Sequence, residues 1–110
     1  MRVPHAERAI IAPGKLREYL LTPVKGRGRG KPPFFAALGY TVDNWWVLEQ
    51  ALREQHLVLD AQKDQTTEHG DMYVIIGPLT GPDGETASVK SVWITWHGED
   101  APRFVTAYKA

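Results

Sequence analysis

Bases and hydroxyl-bearing side chains are the residues of this chain whose types suit a chemical role. The bases lie in the N-terminal third and the hydroxyls near the C-terminus: Lys15, Arg27, Arg29, Lys31, Thr106 and Tyr108. Cations stabilise the charge that develops on a phosphate under attack, and a histidine, His5 or His97, can carry the proton. This set favours phosphate-directed chemistry without a metal, for which RNA would supply its own nucleophile, the 2′-hydroxyl.

Other chemistries find little support. The 110 residues include no cysteine, which excludes a disulfide scaffold, a thiolate zinc site and a cysteine nucleophile. The four histidines are widely spaced, and no glycine-rich segment matches a phosphate-binding loop or a dinucleotide fingerprint. We therefore expect no metal and no cofactor. His56 falls at a predicted helix end, where a cation meets the negative end of the dipole, and is interpreted as structural.

The net charge of zero conceals a segregated layout. Residues 1–31 carry eight bases and two acids, whereas residues 32–110 carry five bases and eleven acids. Bases alternate with glycines over residues 24–31, which predicts an exposed, mobile loop. Its bases, with one from the preceding helix, are candidate contacts to an RNA backbone: Lys15, Lys25, Arg27 and Arg29. The alternative is a solvated loop that happens to be basic.

The elements that must position these residues follow from the apolar spacing. Three helical segments are predicted, over Pro13–Leu21 with Leu16, Tyr19 and Leu20 on one face, over Pro32–Leu38 with a Gly39 cap, and from Thr41 or Asp43 to about Gln55. Strand-like runs follow, over Met72–Leu79, Thr86–His97 and Arg103–Tyr108. Residues 8–12 fit a brief strand or an extended lead-in.

This order predicts an α+β fold, with N-terminal helices packed on one face of a three- to four-stranded antiparallel sheet. We expect one domain over residues 1–110, mainly helical over 1–57 and a sheet over 58–110. No apolar run approaches the ~18 residues of a membrane span, and no signal peptide is recognisable at the start. The expected location is the cytoplasm.

Two arguments about side-chain direction separate core from site. Trp45 and Trp46 are adjacent on a helix, and Trp93 and Trp96 are an odd number apart on a strand, so one of each pair should be partly exposed.

On the last strand, Thr106, Tyr108 and Phe104 should share a face, with Arg103, Val105 and Ala107 on the other. Either that row is half-buried with its hydroxyls bonded to backbone, or the hydroxyls reach a site near Lys31 and a histidine.

Three stretches resemble a known family. They are Lys15-Leu-Arg-Glu-Tyr-Leu-Leu-Thr-Pro23, then Lys31 with Phe34-Phe-Ala-Ala-Leu-Gly-Tyr40, and Trp93-Ile94 with Pro102-Arg-Phe-Val-Thr-Ala-Tyr108. The layout resembles a small bacterial domain family of unknown function. That family is similar in turn to toxin domains at the C-termini of contact-dependent and polymorphic toxins, which are grouped with the barnase–EndoU–colicin–RelE fold.

The resemblance implies metal-independent RNA cleavage, with Lys31 matching the family lysine and Thr106 and Tyr108 matching its C-terminal strand. The chain departs from the pattern in two places. Many relatives have a histidine where this chain has Val24-Lys25, and Pro32 replaces a small residue. The general base is therefore unassigned.

Two functions remain open from the sequence. The first is a toxin-like ribonuclease held by an antitoxin or another neighbouring-gene protein, with Lys31, Thr106, Tyr108 and His97 as catalytic candidates. The second is a non-catalytic partner-binding domain, antitoxin-like, immunity-like or structural, that retains the fold. The first predicts bases and a proton carrier on one sheet face, whereas the second predicts an apolar patch there. The oligomeric state does not follow from the sequence.

Overall fold

Three helices and a four-stranded antiparallel sheet form the part of the chain that the computed structural model describes, residues 1–22 and 31–110. The helices are α1 (Lys15–Leu20), α2 (Lys31–Ala37) and α3 (Trp45–Ala51), the last continued by a turn over Leu52–His56. The strands are β1 (Gln62–Thr66), β2 (Gly70–Thr80), β3 (Thr86–Trp96) and β4 (Arg103–Lys109). Short 3₁₀ turns cover Ala6–Arg8 and Val42–Asn44. None of the described helices is long and apolar enough to cross a membrane.

Helix α1 is wound more loosely than an α-helix. It is a π-helix, and just beyond it the Leu21 N–H donates to the Leu16 carbonyl five residues back. The wider turn keeps Leu16 and Leu20 aligned and fully buried but rotates the Tyr19 side chain away from the centre of the core. The expectation that Tyr19 shares their face is therefore only partly met, because its ring packs against the core but is not fully buried.

The C-terminal end of α2 and the start of the α3 region follow the sequence prediction. Gly39 has φ +98°, the left-handed conformation that ends a helix and that residues with a Cβ rarely adopt. The side chains of Thr41 and Asn44 then form a capping box at the start of the α3 region.

The sheet order is β1-β2-β3-β4, with every neighbouring pair antiparallel. This confirms the predicted α+β fold and the three longer strands. Strand β1 is exposed along its whole length, and its polar sequence has no apolar alternation to indicate a strand.

The free edge of β4 is covered at one end by the N-terminal segment. Ile10 forms a parallel bridge with Arg103. Its N–H donates to the Pro102 carbonyl at 2.8 Å and its carbonyl accepts from the Phe104 N–H at 2.9 Å. The expected short extended lead-in at residues 8–12 therefore pairs with the edge of the sheet.

Alternation divides the sheet into a core face and an open face. The core face of β2 and β3 carries Tyr73, Ile75, Leu79, Val89, Ser91 and Trp93. The open face carries Met72, Val74, Ile76, Lys90, Val92, Ile94 and Trp96. It remains accessible, since Ile76 is 61% and Trp96 44% exposed. The tryptophans confirm that one of each pair is exposed. Trp93 is buried whereas Trp96 lies on the open face, and Trp46 is 54% exposed.

A bulge in β4 corrects the predicted side-chain row. Val92 pairs with Thr106 but Trp93 pairs with Phe104, so Val105 is an extra residue. Phe104 therefore turns to the core face, where its ring packs edge-on against Trp93 with centroids 5.2 Å apart.

The same bulge reverses the assignment of the neighbouring positions. Ala107 lies on the core face, while Arg103 lies opposite Ile94 on the open face with Thr106 and Tyr108. The sequence expectation placed Arg103 and Ala107 together, because simple alternation does not allow for an extra residue.

A buried hydrogen-bonded chain joins the end of the α3 region to the centre of the sheet. His56 Nε2 lies 3.1 Å from the Gly77 carbonyl, and Nδ1 lies 2.7 Å from Ser91 Oγ. Trp93 Nε1 donates to the same Ser91 oxygen at 2.9 Å. Because a carbonyl only accepts, His56 Nε2 carries the hydrogen and the Ser91 hydroxyl donates to Nδ1. Every polar side-chain atom of this network therefore has a partner.

The structural role expected for His56 is confirmed, but the charge argument behind it is wrong. The side chain is fully buried, and burial lowers the pKa of the imidazole below its usual value. The neutral tautomer is the one that this chain of hydrogen bonds requires.

Replacing Ser91 by alanine should destabilise the fold markedly. It removes the acceptor of the Trp93 N–H and the donor to His56 Nδ1, and each buried unsatisfied group costs ~1–3 kcal/mol. We expect a loss of about 3 kcal/mol in the free energy of unfolding, measured by urea denaturation. Ser88→Ala, at an exposed position of the same strand, serves as the control and should change stability by less than ~0.5 kcal/mol. Equal stability of the two variants would contradict the network.

The stability of the protein should fall as the pH drops below about 6.5. There the unfolded chain protonates His56 while the folded chain, with its lowered pKa, does not, so the unfolded state binds more protons. The loss continues down to the folded pKa, with a slope of at most ~1.4 kcal/mol per pH unit. Urea denaturation at several pH values measures it. In His56→Gln, this component should vanish, and an unchanged pH profile would refute its assignment to His56.

Candidate functional site

Four polar side chains meet where α1 and α2 pack along β4: Tyr19, Lys31, Thr106 and Tyr108, here called the edge cluster. The Lys31 ammonium donates to the Tyr19 hydroxyl oxygen at 2.5 Å. The Thr106 hydroxyl donates to the same oxygen at 3.5 Å. The Tyr108 ring centroid lies 5.8 Å from Lys31 Nζ. The cluster therefore joins two helices to the open-face side of the last strand.

Two further lysines flank the edge cluster. Lys15 Nζ lies 5.7 Å from the Tyr19 ring centroid, and Lys90 Nζ lies 5.6 Å from that of Tyr108. No carboxylate of residues 1–22 or 31–110 lies within 4.0 Å of the ammonium groups of Lys15, Lys31 or Lys90. Three positive charges with no described acidic partner make this edge attractive to an anion.

The electrostatics of the cluster act most strongly on Tyr19. The hydrogen bond from Lys31 lowers the pKa of the Tyr19 hydroxyl, helped by the one from Thr106, while partial burial opposes them. Tyr40 shows the opposite case, because its burial raises the pKa to about 12 and its hydroxyl donates to the Thr80 carbonyl. Tyr19 is thus the more readily deprotonated of these two phenols.

The structure brings four of the predicted site residues together: Lys15, Lys31, Thr106 and Tyr108. Lys25, Arg27 and Arg29 lie outside the described residues. Lys31 is the first residue of α2, but the next two, Pro32 and Pro33, have no N–H, so few backbone donors accompany its charge there.

The structure does not bring His97 to the edge cluster. It follows β3 seven residues after Lys90, which pairs with Tyr108, so about 23 Å of strand separates them. Its Nε2 instead lies 3.0 Å from the Thr67 carbonyl, beside the β1–β2 turn. His5 lies near Glu7, with Nδ1 4.0 Å from the carboxylate. The polar partners of His97 and His5 thus lie outside the edge cluster.

Sequence reasoning missed Tyr19 and Lys90. Helical spacing predicts only that Tyr19 shares a face with Leu16 and Leu20. Its position four residues after Lys15 is nevertheless a spacing at which helical side chains meet. Lys90 was one polar residue in an alternating strand, and only the β3–β4 register sets it opposite Tyr108. In the described part of the chain, no group of three or more histidine, aspartate or glutamate side chains is placed to hold a metal ion.

The fold and site define an α+β domain with a lysine–tyrosine cluster at the edge of its sheet. Residues 2–110 match the family model of a domain of unknown function, DUF6883, and the chain belongs to this family. The expected membership of a family of unknown function is thereby confirmed. No curated protein and no solved structure matches the chain.

Tyr19 and Tyr40 should titrate separately from each other. We expect Tyr19 to ionise below 10.0 and Tyr40 near 12, followed by the ultraviolet absorbance of phenolate. Lys31→Met keeps an unbranched apolar side chain but removes the donor, so it should raise the pKa of Tyr19. Tyr40→Phe, the control, should remove only the step near 12. If the pKa of Tyr19 is the same in Lys31→Met as in the unmodified protein, Lys31 does not form a hydrogen bond with Tyr19 in solution.

Proposed function

We propose that the protein is a metal-independent ribonuclease whose active site is the edge cluster. The observation that carries this proposal is the hydrogen bond from Lys31 to Tyr19, because it pairs a cation with a phenol of lowered pKa. A charge stabiliser and a proton acceptor are the two functions that phosphodiester cleavage without a metal requires.

The surroundings of this pair suit a phosphate. The ammonium groups of Lys15 and Lys90 flank it, and the Tyr108 hydroxyl, whose ring lies 5.8 Å from Lys31 Nζ, is a hydrogen-bond donor for a phosphate oxygen. The Thr106 hydroxyl donates to Tyr19 and so favours its phenolate form. A phosphate at this edge would meet positive charge from both the helices and the sheet, and contacts of this kind dominate the affinity of proteins for nucleic acids.

The proposed step is an attack by the RNA itself. The 2′-oxygen forms a bond to phosphorus as Tyr19, in its phenolate form, accepts the 2′-hydroxyl proton. The bond from phosphorus to the 5′-oxygen breaks, and Tyr108 donates a proton to that leaving oxygen. Lys31 neutralises the charge on the non-bridging oxygens. The products are a 2′,3′-cyclic phosphate and a 5′-hydroxyl, and a 2′-deoxy substrate would not react.

Tyr19 takes the role left open by the missing loop histidine. The resemblance to C-terminal ribonuclease toxin domains supports the same activity, since their matching lysine is Lys31. On this proposal the protein acts in the cytoplasm on cellular RNA and is held inactive by a cognate antitoxin or another neighbouring-gene protein. The basic residues Lys25, Arg27 and Arg29 would add backbone contacts to the substrate.

A second candidate function is partner binding without catalysis. The observation that favours it is the apolar part of the open face, where Ile76 is 61% exposed among Met72, Val74 and Ile94. Apolar surface of this kind often marks an interaction site. The two candidates occupy different parts of one face, bases and hydroxyls towards β4 and apolar side chains towards β2.

Substitutions in the edge cluster should slow cleavage strongly without unfolding the protein. With a labelled single-stranded RNA, we expect Tyr19→Phe to lower the cleavage rate by ~10²–10⁴, the usual contribution of a general base. Lys31→Ala and Tyr108→Phe should each lower it by ~10²–10³. Cleavage by the unmodified protein should continue in excess chelator.

Lys109→Ala is the matched control, because Lys109 is an exposed lysine adjacent to Tyr108 whose side chain lies on the other face of β4. It should cleave RNA at the unmodified rate. Absence of cleavage by the purified protein would refute the ribonuclease proposal and leave partner binding as the better candidate. Full activity of Tyr19→Phe with an unchanged melting temperature would refute the assignment of the active site to the edge cluster.

A further inference from the structure

A second feature of the open face lies beside the edge cluster. A cleft of about 290 Å³ is lined mainly by apolar atoms, and its walls include Lys15, Ile94, Trp96 and Arg103. Lys15 also lies 5.7 Å from the Tyr19 ring, so this lysine connects the cleft to the cluster. A base of a nucleic-acid strand can therefore reach the cleft while a neighbouring phosphate of the same strand lies at Lys31.

An exposed aromatic ring forms one wall of this cleft. Trp96 is 44% exposed, and the Arg103 guanidinium carbon lies 4.2 Å from its ring centroid. The Arg103–Glu99 ion pair, at 3.3 Å, holds the guanidinium at the rim. An indole and a guanidinium plane held together in an open cleft are the two side-chain surfaces on which nucleobases stack in single-stranded nucleic acids.

The charge of the open face identifies the kind of occupant. Along β2, β3 and β4, the registers assign Lys90 and Arg103 to this face but no aspartate or glutamate, and Glu99 of the turn before β4 pairs with Arg103. The adjoining edge cluster adds Lys15 and Lys31. A polyanion that carries planar apolar rings complements this surface in both respects.

We infer that the Trp96–Arg103 cleft binds a nucleobase of a single-stranded RNA whose neighbouring phosphate lies at the edge cluster. This inference rests on the proposed function and deepens it by naming the substrate class. The cleft contributes affinity through stacking and takes no part in the chemical step. Trp96 is then a binding residue, and the strand crosses the open face from the cleft towards β4.

Two oligonucleotides of equal length test this assignment. One is 2′-deoxyoligoadenylate, which cannot be cleaved, and the other is an abasic strand that keeps the phosphates and lacks the bases. Trp96→Ala should weaken binding of the first by about 5- to 150-fold, the range of stacking on one base, and leave the second unchanged. The salt dependence of binding should not change, because stacking releases no counterions. Trp96→Phe should restore most of the affinity.

Trp46→Ala is the control, since Trp46 is 54% exposed on α3 and outside the cleft. It should bind both strands as the unmodified protein does. Lys31→Ala should weaken both strands and reduce the salt slope by about 0.7, the contribution of one phosphate contact on a single strand.

Several results would overturn the inference. Equal affinity of the unmodified protein for the two strands would show that no base is bound. Unaltered affinity of Trp96→Ala for the oligoadenylate would place the base elsewhere. Slower sedimentation of the free protein in Trp96→Ala than in the unmodified form would assign the face to a second copy of the chain. If stacking is observed but RNA is not cleaved, the ribonuclease proposal fails and the base site remains.

Discussion

The hydrogen-bonded chain from Trp93 through Ser91 and His56 to Gly77 is the constraint on which the rest of the structure depends. It holds the last turn of the helical region against the two central strands at a single position. A buried polar network of this kind has one satisfied arrangement, so it fixes the docking of helix on sheet more narrowly than apolar contacts alone. The face of the sheet that the helices cover is decided there.

The position of the edge cluster is a consequence of that choice. Once the helices cover the core face, α1 and α2 lie along β4, and their polar side chains extend around the edge of the sheet. The extra residue at Val105 then turns Thr106 and Tyr108 to the same side while leaving Phe104 against Trp93. A regular strand would have had to expose Phe104 or bury the two hydroxyls. The bulge resolves this conflict locally.

The sequence was sufficient for the helices and the three long strands, because proline, glycine and alternating apolar residues mark them directly. It was insufficient for β1, whose five polar residues carry no such marks and pair only because β2 offers an edge. In the site, Lys31, Thr106 and Tyr108 could be named from residue type and resemblance. Tyr19 and Lys90 could not, since a loosened helical turn and a strand register that no local pattern encodes bring them there.

Both lateral edges of the sheet are protected against pairing with further strands. Strand β1 presents only exposed polar side chains, among them Lys63 and Asp64, and charged edges resist pairing with another sheet. At the opposite side, Ile10 occupies part of the β4 edge and the helices lie along it. The folded protein therefore offers little unprotected strand edge to which a strand of another molecule could add, and such edge pairing is a common cause of aggregation.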